Sequence, residues 1–288
     1  MSKATCAVVA AVTVVLVLAC AVACLGVVGV IAYTGADAGD GPQVRETIAS
    51  EIAVDSPATL TVRNPAGNVS IRTGPQSDSI LVEATTEADS VFGRQAESLA
   101  DRADVQIEGE GSEARVEVAL PEASGIGFAR VNLVVTVPEE THLDVVNDAG
   151  HVEIQGTEGD IRVRSEAGNL RMEDVIVTQT CDVMNTAGNI TFEGRLPEPG
   201  TTDEPWEVVL RTEAGNIDFA VPADSRFTLD AESEAGSVNA KFELDSPQSG
   251  SVRGEAGEWL KGSVNGSQAS PNVILRAESG NIRVTPLR

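Results

Sequence analysis

The sequence is poor in aromatic residues, which make up 3% of its 288 positions, while glycine accounts for 27 of them. Ring side chains therefore cannot fill most of the core. The hydrophobic content of 42% is nevertheless typical of an ordered protein. The core must consist mainly of Val, Ile, Leu and Ala at closely repeated spacings, which favours a thin β architecture.

Cysteine is scarce outside one segment. Cys6, Cys20 and Cys24 lie in an apolar N-terminal stretch, which leaves only Cys181 in the remainder of the chain. A single thiol excludes an internal disulfide there, and no cluster of Cys and His is present to bind zinc. We therefore expect no metal site of that kind and no cofactor.

Basic residues are also few. Apart from Lys3, every charged residue lies after Thr34, and there 19 basic residues face 44 acidic ones, a net charge of −25. A charge of this sign excludes nucleic acid as a partner and excludes a face held on anionic lipid. Solubility outside the cell explains the charge, and binding of divalent cations such as calcium is the alternative.

Catalytic motifs are missing as well. The chain has no G-x-S-x-G, P-loop or dinucleotide fingerprint, and its Gly-rich stretch "SGIGF" (124–128) is not followed by a helical pattern. A β-helical carbohydrate-active enzyme would need two convergent carboxylates in a groove, and no pair stands out among the many acidic residues. The sequence therefore predicts a protein that is not an enzyme, with such an enzyme as the alternative.

The N-terminal stretch carries no charge between Lys3 and Asp37, and residues 6–33 are almost wholly apolar. This length exceeds the apolar core of a cleaved signal peptide and predicts a transmembrane helix over 6–33, after a cytoplasmic segment of residues 1–5. Lipoprotein processing at Cys20 or Cys24 is an alternative. Lys3 before the span and acidic residues after it predict a single-pass protein whose C-terminal domain is extracellular or periplasmic.

The exterior part divides into three regions by pattern. Residues 34–50 are small and polar and predict a linker. Residues 51–140 predict a β-rich part, in which "ADSVFGRQAESLADRADV" (88–105) has helical spacing and predicts one amphipathic helix. Residues 141–288 predict a β-strand repeat part of the same domain.

The repeat is the phrase φ-x-[NST]-x-[AS]-G-[NDHS]-φ-x-φ, where φ is apolar. Its spacing is mostly near 20 residues, which corresponds to one supersecondary unit per copy and predicts a β-solenoid-like array. Gly67 marks an outlying copy and Gly257 a degraded one. The other copies are centred on Gly150, Gly159, Gly168, Gly188, Gly215, Gly236 and Gly280.

Each position of the phrase has a structural interpretation. Glycine supplies a positive φ or a close approach between neighbouring units. The polar residue three before it can bond the turn backbone; these residues are Asn64, Asn147, Ser165, Asn185, Thr212 and Ser233. The residue after it tolerates left-handed geometry and can form side-chain ladders; these residues are Asn68, Asp160, Asn169, Asn189, Asn216 and Asn281. His151 occupies the same position, so we expect it to serve the corner and not catalysis.

The charged residues that point outward are the only positions of the phrase without a predicted role in the turn or the core. They form a candidate surface ladder, whose main members are Arg164, Glu166, Arg211, Glu213, Arg276 and Glu278, with Arg63, Glu234 and Glu255 at related positions. The two columns can offset each other's charge, or a cation such as calcium can bridge the carboxylates. Calcium-binding nonapeptide repeats carry paired glycines that are absent here, and only Asp160 supplies a carboxylate directly after a repeat glycine.

The segment "VVTVPEETHLDVVNDAGHVEIQGTEGDIRVRSEAGNLRMEDV" (134–175) resembles a bacterial putative-adhesin family with a β-strand-repeat domain of unknown function. The resemblance extends over most of residues 50–288 and departs at the insert "EGRLPEPGTTDEPW" (193–206). It implies an envelope-exposed right-handed β-solenoid-like domain with a role in adhesion or surface sensing, and no catalytic residues.

The expected function is that of a membrane-anchored surface protein that binds a glycan or a protein. A regulatory envelope-stress component that binds another membrane protein is a further alternative. The chain ends at "NIRVTPLR", directly after the last repeat. An uncapped end of a stacked array can pair with another chain, so we expect self-association through that end.

Overall fold

The computed structural model describes residues 31–35, 43–76, 78–90, 93–122, 127–196, 206–252, 256–266 and 272–287. These residues form an all-β structure with one short helix, α1 (Gly93–Ala100). The strands in chain order are β1 (Ile31–Gly35), β2 (Gln43–Ala53), β3 (Ala58–Ala66), β4 (Val69–Thr73), β5 (Ser79–Ser90), β6 (Asp104–Glu110), β7 (Glu113–Ala119), β8 (Gly127–Val137), β9 (Thr141–Ala149), β10 (Val152–Gln155), β11 (Glu158–Ala167), β12 (Leu170–Ala187), β13 (Ile190–Arg195), β14 (Glu207–Ala214), β15 (Ile217–Val221), β16 (Phe227–Ala235), β17 (Val238–Ala240), β18 (Leu244–Ser251), β19 (Glu258–Val264), β20 (Asn272–Ser279) and β21 (Ile282–Pro286).

The repeated phrase forms a strand, a turn at its glycine and a second strand. We name each such unit by its turn glycine: the Gly67 unit is β3 and β4, and the Gly150 unit is β9 and β10. The Gly168 unit is β11 with the start of β12, and the Gly188 unit is the end of β12 with β13. The Gly215, Gly280 and Gly236 units are β14–β15, β20–β21 and β16–β17.

Corresponding strands of neighbouring units pair in parallel, and they are in register apart from two irregularities, at Gly159–Ile161 in β11 and at Met172–Val175 in β12. The first strands follow the order β3, β9, β11, β12, β14, β20, β16. The second strands follow the matching order β4, β10, β12, β13, β15, β21, β17. The seven units therefore lie one on the next, and their inward side chains form one continuous apolar core, as alternation in the sequence predicts.

The order of the units departs from the order of the chain. The C-terminal Gly280 unit lies between the Gly215 and Gly236 units, because β20 pairs with both β14 and β16, and β21 pairs with both β15 and β17. The prediction that the last repeat forms the open end of the array is therefore wrong. The strands at that end are β17 and the antiparallel pair β18 and β19, which carries the degraded copy at Gly257.

Aromatic side chains are concentrated near that end. Phe192 and Phe219 stack with ring centroids 5.0 Å apart. Phe227 meets Phe219 edge-on at 6.1 Å and Phe242 at 5.5 Å. Four of the six phenylalanines thus lie in or beside the Gly188, Gly215 and Gly236 units.

The region before residue 140 joins the same array. Strands β7 and β8 pair in parallel with β3 and β4. On the other side of β8, β5 and then β2 and β1 continue as an antiparallel sheet. The outlying copy at Gly67 is therefore a neighbour of the Gly150 unit, and strands from residues 51–140 pair directly with strands from 141–288.

The predicted helix is present but shorter than its pattern. It spans Gly93–Ala100 and buries Ala96, Leu99 and Ala100 near Ala88. Ala88 to Ser90, at the start of the helical pattern, belong to β5, and Ala103 follows the turn that ends the helix. The pairing of β5 along its whole length with β2 and β8 overrides the helical spacing there.

Two further predictions at the N-terminus differ from the structure. The predicted linker 34–50 includes the first part of β2, which pairs with β5 from Gln43 onward. The predicted transmembrane helix lies largely in residues 1–30, outside the described residues, but its last positions, Ile31–Tyr33, belong to β1. Within the ranges given above, no helix is long and apolar enough to cross a membrane.

Candidate functional surfaces

The turn glycines hold neighbouring units close together. Six of them have a positive φ, from +127° at Gly67 to +156° at Gly215. At Gly168, a Cβ atom would also overlap the carbonyl of Gly150 in the next unit. Gly236 makes the same close approach to Gly280 without a positive φ in the left-handed range.

Gly159 does not belong with them. It lies inside β11, and the turn before that strand is made at Gly156, whose φ is +76°. A Cβ at position 159 would overlap the carbonyl of Thr141, so close packing of strands requires glycine there. The prediction of a turn at Gly159 is wrong. The residues around Gly159 match the repeated phrase, but they form part of strand β11, and the turn lies three residues earlier, at Gly156.

The residues after the turn glycines form an exposed ladder. In each step, the side chain of one unit accepts a hydrogen bond from the backbone N–H of the next. The acceptors and the donors are Asn132 and Asn68, Asn68 and His151, His151 and Asn169, Asn169 and Asn189, Asn189 and Asn216, Asn216 and Asn281, and Asn281 and Ser237. None of these asparagines has a positive φ, so the ladder, and not left-handed geometry, accounts for the residue type.

The polar residues three before the glycines form a second, buried ladder. Asn147 donates to the carbonyl of Gly150 at 3.0 Å, and Asn185 donates to that of Gly168 at 2.9 Å. Thr212 and Ser233 bond the carbonyls of Gly188 and Gly280. Asn64 bonds Gly67, Val131 and Asn147. Five turn carbonyls are therefore bonded from inside the array, those of Gly67, Gly150, Gly168, Gly188 and Gly280. The prediction is wrong at Ser165, whose buried hydroxyl has no hydrogen-bond partner among the described residues.

Both histidines act as hydrogen-bond acceptors. The Nδ1 atom of His151 accepts from the backbone of Asn169 at 3.1 Å, and that of His142 accepts from Asp160 at 3.0 Å. Asp160 in turn accepts from the backbone of Gln179 and Thr180. The imidazole nitrogens thus take the place of an Asn or Asp side-chain oxygen in linking neighbouring units.

Cys181 is fully buried in β12. Burial raises the pKa of its thiol far above the ordinary value, and the charges of Asp182 and Asp160 raise this pKa further. The thiol stays protonated and inert, because only the thiolate is a nucleophile or a metal ligand. Within the described ranges, no three side chains of His, Cys, Asp or Glu are placed to hold a metal ion.

The predicted surface ladder is interrupted. In register across four first strands lie Met184, Arg211, Arg276 and Glu232. Arg164 precedes Met184 in the same row. Arg164 and Glu166 are therefore separated from the other members by the Gly188 unit, which carries Met184 and Thr186 at the matching positions.

The arginines pair with aspartates and not with the predicted glutamates. Arg211 and Arg164 both approach Asp182, at 3.9 and 3.7 Å. Arg276 forms an ion pair with Asp230 at 2.8 Å, lies 3.8 Å from Glu232, and donates hydrogen bonds to the backbone carbonyls of Asp230 and Leu275. The predicted mutual neutralisation of the Arg and Glu columns is therefore not the arrangement found.

The glutamates instead remain exposed along the turns. Glu213, Glu278 and Glu234 occupy matching positions on three adjacent units and have no ion-pair partner among the described residues. Glu255, the remaining related position, lies outside the described residues. Adjacent strands are about 4.8 Å apart, so these carboxylates repel one another and attract cationic groups.

A groove of about 330 Å³ lies between the arginine row and the glutamates. We call it the Met184 groove. Its lining residues with functional groups are Met184, Arg211, Glu213, Glu232, Glu234, Arg276 and Glu278. The Met184 side chain is 42% exposed, which makes it one of three large apolar side chains exposed in the described chain. The structure thus places four of the six main ladder residues in one groove.

A second cleft, of about 650 Å³, was not indicated by the sequence pattern. It lies beside Phe128 at the start of β8, and the turns of the Gly67 and Gly150 units form its floor. We call it the Phe128 cleft. The stretch "SGIGF" includes Phe128 but gives no sign that its ring is exposed, because exposure depends on the pairing of β8.

One carboxylate of the Phe128 cleft is held by two arginines. Glu87 accepts from Arg130 and Arg45, each at 2.7 Å. Burial alone raises the pKa of Glu87, but the hydrogen bonds and charges of Arg130 and Arg45 outweigh it, so this pKa is lowered. Glu87 therefore stays ionised near neutral pH.

No family model matches the chain, and no curated protein matches it. Several solved structures are similar. A putative cell adhesion protein from Clostridium sporogenes has 13% identity and a TM-score of 0.42, over 83% of this chain and 99% of its own. A putative adhesin from Bacteroides fragilis has 13% identity and a TM-score of 0.41, over 84% and 97%. A putative adhesin from Parabacteroides merdae has 8% identity and a TM-score of 0.30, over 84% and 96%.

Proposed function

We propose that the chain is a membrane-anchored, adhesin-like binding protein of the bacterial cell surface. Its apolar N-terminal segment would anchor it as a single-pass protein, with the array extracellular or periplasmic. The array itself would be a β-solenoid-like repeat domain. The parallel, in-register pairing of seven units supports this description, and the Met184 groove is the observation that carries the binding role.

The chemistry of the Met184 groove suits recognition. Its arginines lie near carboxylates that offset part of their charge: Arg211 approaches Asp182, and Arg276 lies between Asp230 and Glu232. The unpaired charge is that of Glu213, Glu278 and Glu234 on its rim. A partner that presents basic groups, with an apolar contact to Met184, would complement this surface. We infer that the partner is a protein surface rich in Lys or Arg.

No catalytic step or cofactor belongs to this proposal. Three of the groove's carboxylates, Glu213, Glu278 and Glu234, are exposed near the ends of their strands, and its arginines form ion pairs with acidic residues. An enzyme on this scaffold would instead release reducing ends from cell-wall fragments or glycans. Calcium is expected to leave the melting temperature unchanged, and a clear rise on adding calcium would favour the cation alternative.

The test measures how strongly the full chain, in detergent, is retained on immobilised cell-surface proteins and on immobilised basic proteins. Glu213→Gln combined with Glu278→Gln is expected to weaken retention, because it removes two carboxylates of the groove. Asp218→Asn is the control, because Asp218 is an exposed acidic residue outside the groove, ion-paired with Arg283 at 3.2 Å. Equal retention of both variants, or release of reducing ends from glycans, would overturn the proposed role.

The proposed location has its own test. Protease added to intact cells, after permeabilisation of any outer membrane, is expected to cleave the array but not the first residues of the chain. Crosslinking in the same cells separates the alternatives, because a single membrane-protein partner would favour the envelope-stress component. Full protection of the array from protease would contradict the proposed topology.

A further inference from the structure

The Phe128 cleft lies toward the other end of the array from the Met184 groove and has different chemistry. Its floor is made of small residues at two turns, Ala66 with Gly67 and Ala149 with Gly150. Its sides are Leu120 with Pro121 after β7, and Phe128 with Arg130 on β8. The volume of about 650 Å³ lies within the range of about 300 to 1,000 Å³ that small-molecule sites occupy.

Phe128 is the most exposed of the three large apolar side chains that the described residues leave at the surface, at 48%. The chain has only six phenylalanines. Four of them, Phe192, Phe219, Phe227 and Phe242, stack in or against the core. An exposed ring forgoes the stabilisation that its burial would give, and its position in a cleft provides a flat apolar face for a ligand.

Polar groups of both kinds surround that face. Glu87 supplies acceptor oxygens, and its two arginines hold the carboxylate in place. The Oδ1 atoms of Asn68 and Asn132 accept backbone N–H groups of the exposed ladder. Their carboxamide nitrogens make no hydrogen bond within the described part of the chain, so they remain donors toward the cleft's rim.

We propose that the Phe128 cleft binds a hexopyranose unit of a glycan. The C–H face of the sugar ring would lie against the Phe128 ring, which is an apolar and slightly negative surface. Hydroxyl groups both donate and accept hydrogen bonds, and the cleft offers Glu87 as acceptor and Arg130, Asn68 and Asn132 as donors. An apolar ligand would leave these polar groups unpaired, at a cost in affinity.

This site is independent of the Met184 groove. The groove would contact a basic protein surface through carboxylates, whereas the cleft would hold a sugar through one ring and a fixed ion pair. A negative result for one site therefore does not contradict the proposal for the other. Variants of each site serve as controls for binding at the other site.

The test uses the full chain in a zwitterionic detergent, because detergents with sugar headgroups would occupy the site. The probes are soluble disaccharides: cellobiose, maltose, lactose, di-N-acetylchitobiose and a uronic acid disaccharide. Saturation-transfer NMR detects binding, and isothermal titration gives the Kd. We expect at least one disaccharide to bind, with saturation strongest on the C–H protons of one sugar face.

Phe128→Ala is expected to raise the Kd about tenfold, near the upper end of what one aromatic contact contributes. Phe128→Trp should restore binding, because it keeps a ring. The matched control is Leu81→Ala, since Leu81 is 36% exposed on the neighbouring strand β5 and does not line the cleft. Absence of binding to every disaccharide, an unchanged Kd in Phe128→Ala, or binding of peptides in place of sugars would overturn the proposal.

Discussion

Arg211 and Arg276 lie opposite each other on adjacent parallel strands, yet each forms its ion pair on a different side. Arg211 approaches Asp182 on the Gly188 unit at 3.9 Å. Arg276 bonds Asp230 on the Gly236 unit at 2.8 Å. Because the two guanidinium groups repel, pairing in opposite directions separates them, and the Met184 groove opens beside this row.

The two aspartates should therefore differ in their contribution to stability. Asp230 also bonds Lys261 at 2.8 Å, whereas the contacts of Asp182 are long. Asp230→Asn is expected to destabilise the protein by about 1 kcal/mol, and Asp182→Asn by about 0.3 kcal/mol, as for partly exposed ion pairs. Thermal denaturation at low and high salt measures both effects, and the difference should shrink as salt rises. Equal losses would show that the contact distances do not govern these pairs.

Turn glycines that face a neighbouring unit should tolerate no side chain. Gly188→Ala is expected to cost about 3 kcal/mol, because it combines a positive φ with overlap on the carbonyl of Gly168. Gly111→Ala provides the matched control, since Gly111 also has a positive φ but nothing near its Cβ position. Its cost should be only about 1 kcal/mol. Similar melting temperatures for the two variants would contradict the role assigned to close approach.

The exposed ladder should protect the backbone N–H groups that it binds from hydrogen exchange. Asn189 accepts from the backbone N–H of Asn216 at 2.9 Å. Asn189→Ala leaves that group without its partner and is expected to cost about 1 kcal/mol. Hydrogen exchange at the Asn216 amide should accelerate. Asn189→Asp keeps an acceptor at the same place and should preserve protection, and unchanged exchange in the alanine variant would refute the assigned bond.

Glu87 should make stability depend on acid pH. The pKa of Glu87 is lowered from its ordinary value of 4.5 in the folded chain. The stabilisation is therefore complete above pH 4.5 and is lost as pH falls through the folded pKa. Glu87→Gln should lower stability at neutral pH by about 1 kcal/mol. The gap between variant and parent should close toward low pH, and a gap that widened on acidification would reverse the sign of this linkage.

Removal of residues 272–288 tests the order of the units. That segment contains β20 and β21, which separate the Gly215 and Gly236 units. Its loss should expose the unit that precedes it in sequence, so that residues 227–240 become sensitive to limited proteolysis. If the last repeat instead lay at the end of the array, those residues would remain protected.

Local sequence is enough to specify the structure of each unit. Alternating apolar residues such as Ile217 and Phe219 or Ile282 and Val284 are buried as their period of two predicts. The Gly–Asn turn follows from steric and hydrogen-bonding preferences that act over a few residues, so the phrase is readable without knowledge of the fold. A matching phrase does not always form a turn, because the residues around Gly159 match the phrase but lie within strand β11.

The order in which the units stack depends on long-range contacts that the local pattern does not encode. Every unit presents nearly the same edge of backbone donors and acceptors, so local pattern does not distinguish one neighbour from another. The position of the Gly280 unit inside the array, the pairing of Arg211 with Asp182, and the exposure of Phe128 all depend on that order. They arise from contacts between residues far apart in sequence, where side-chain fit and chain connection select one arrangement among many with equivalent backbone pairing.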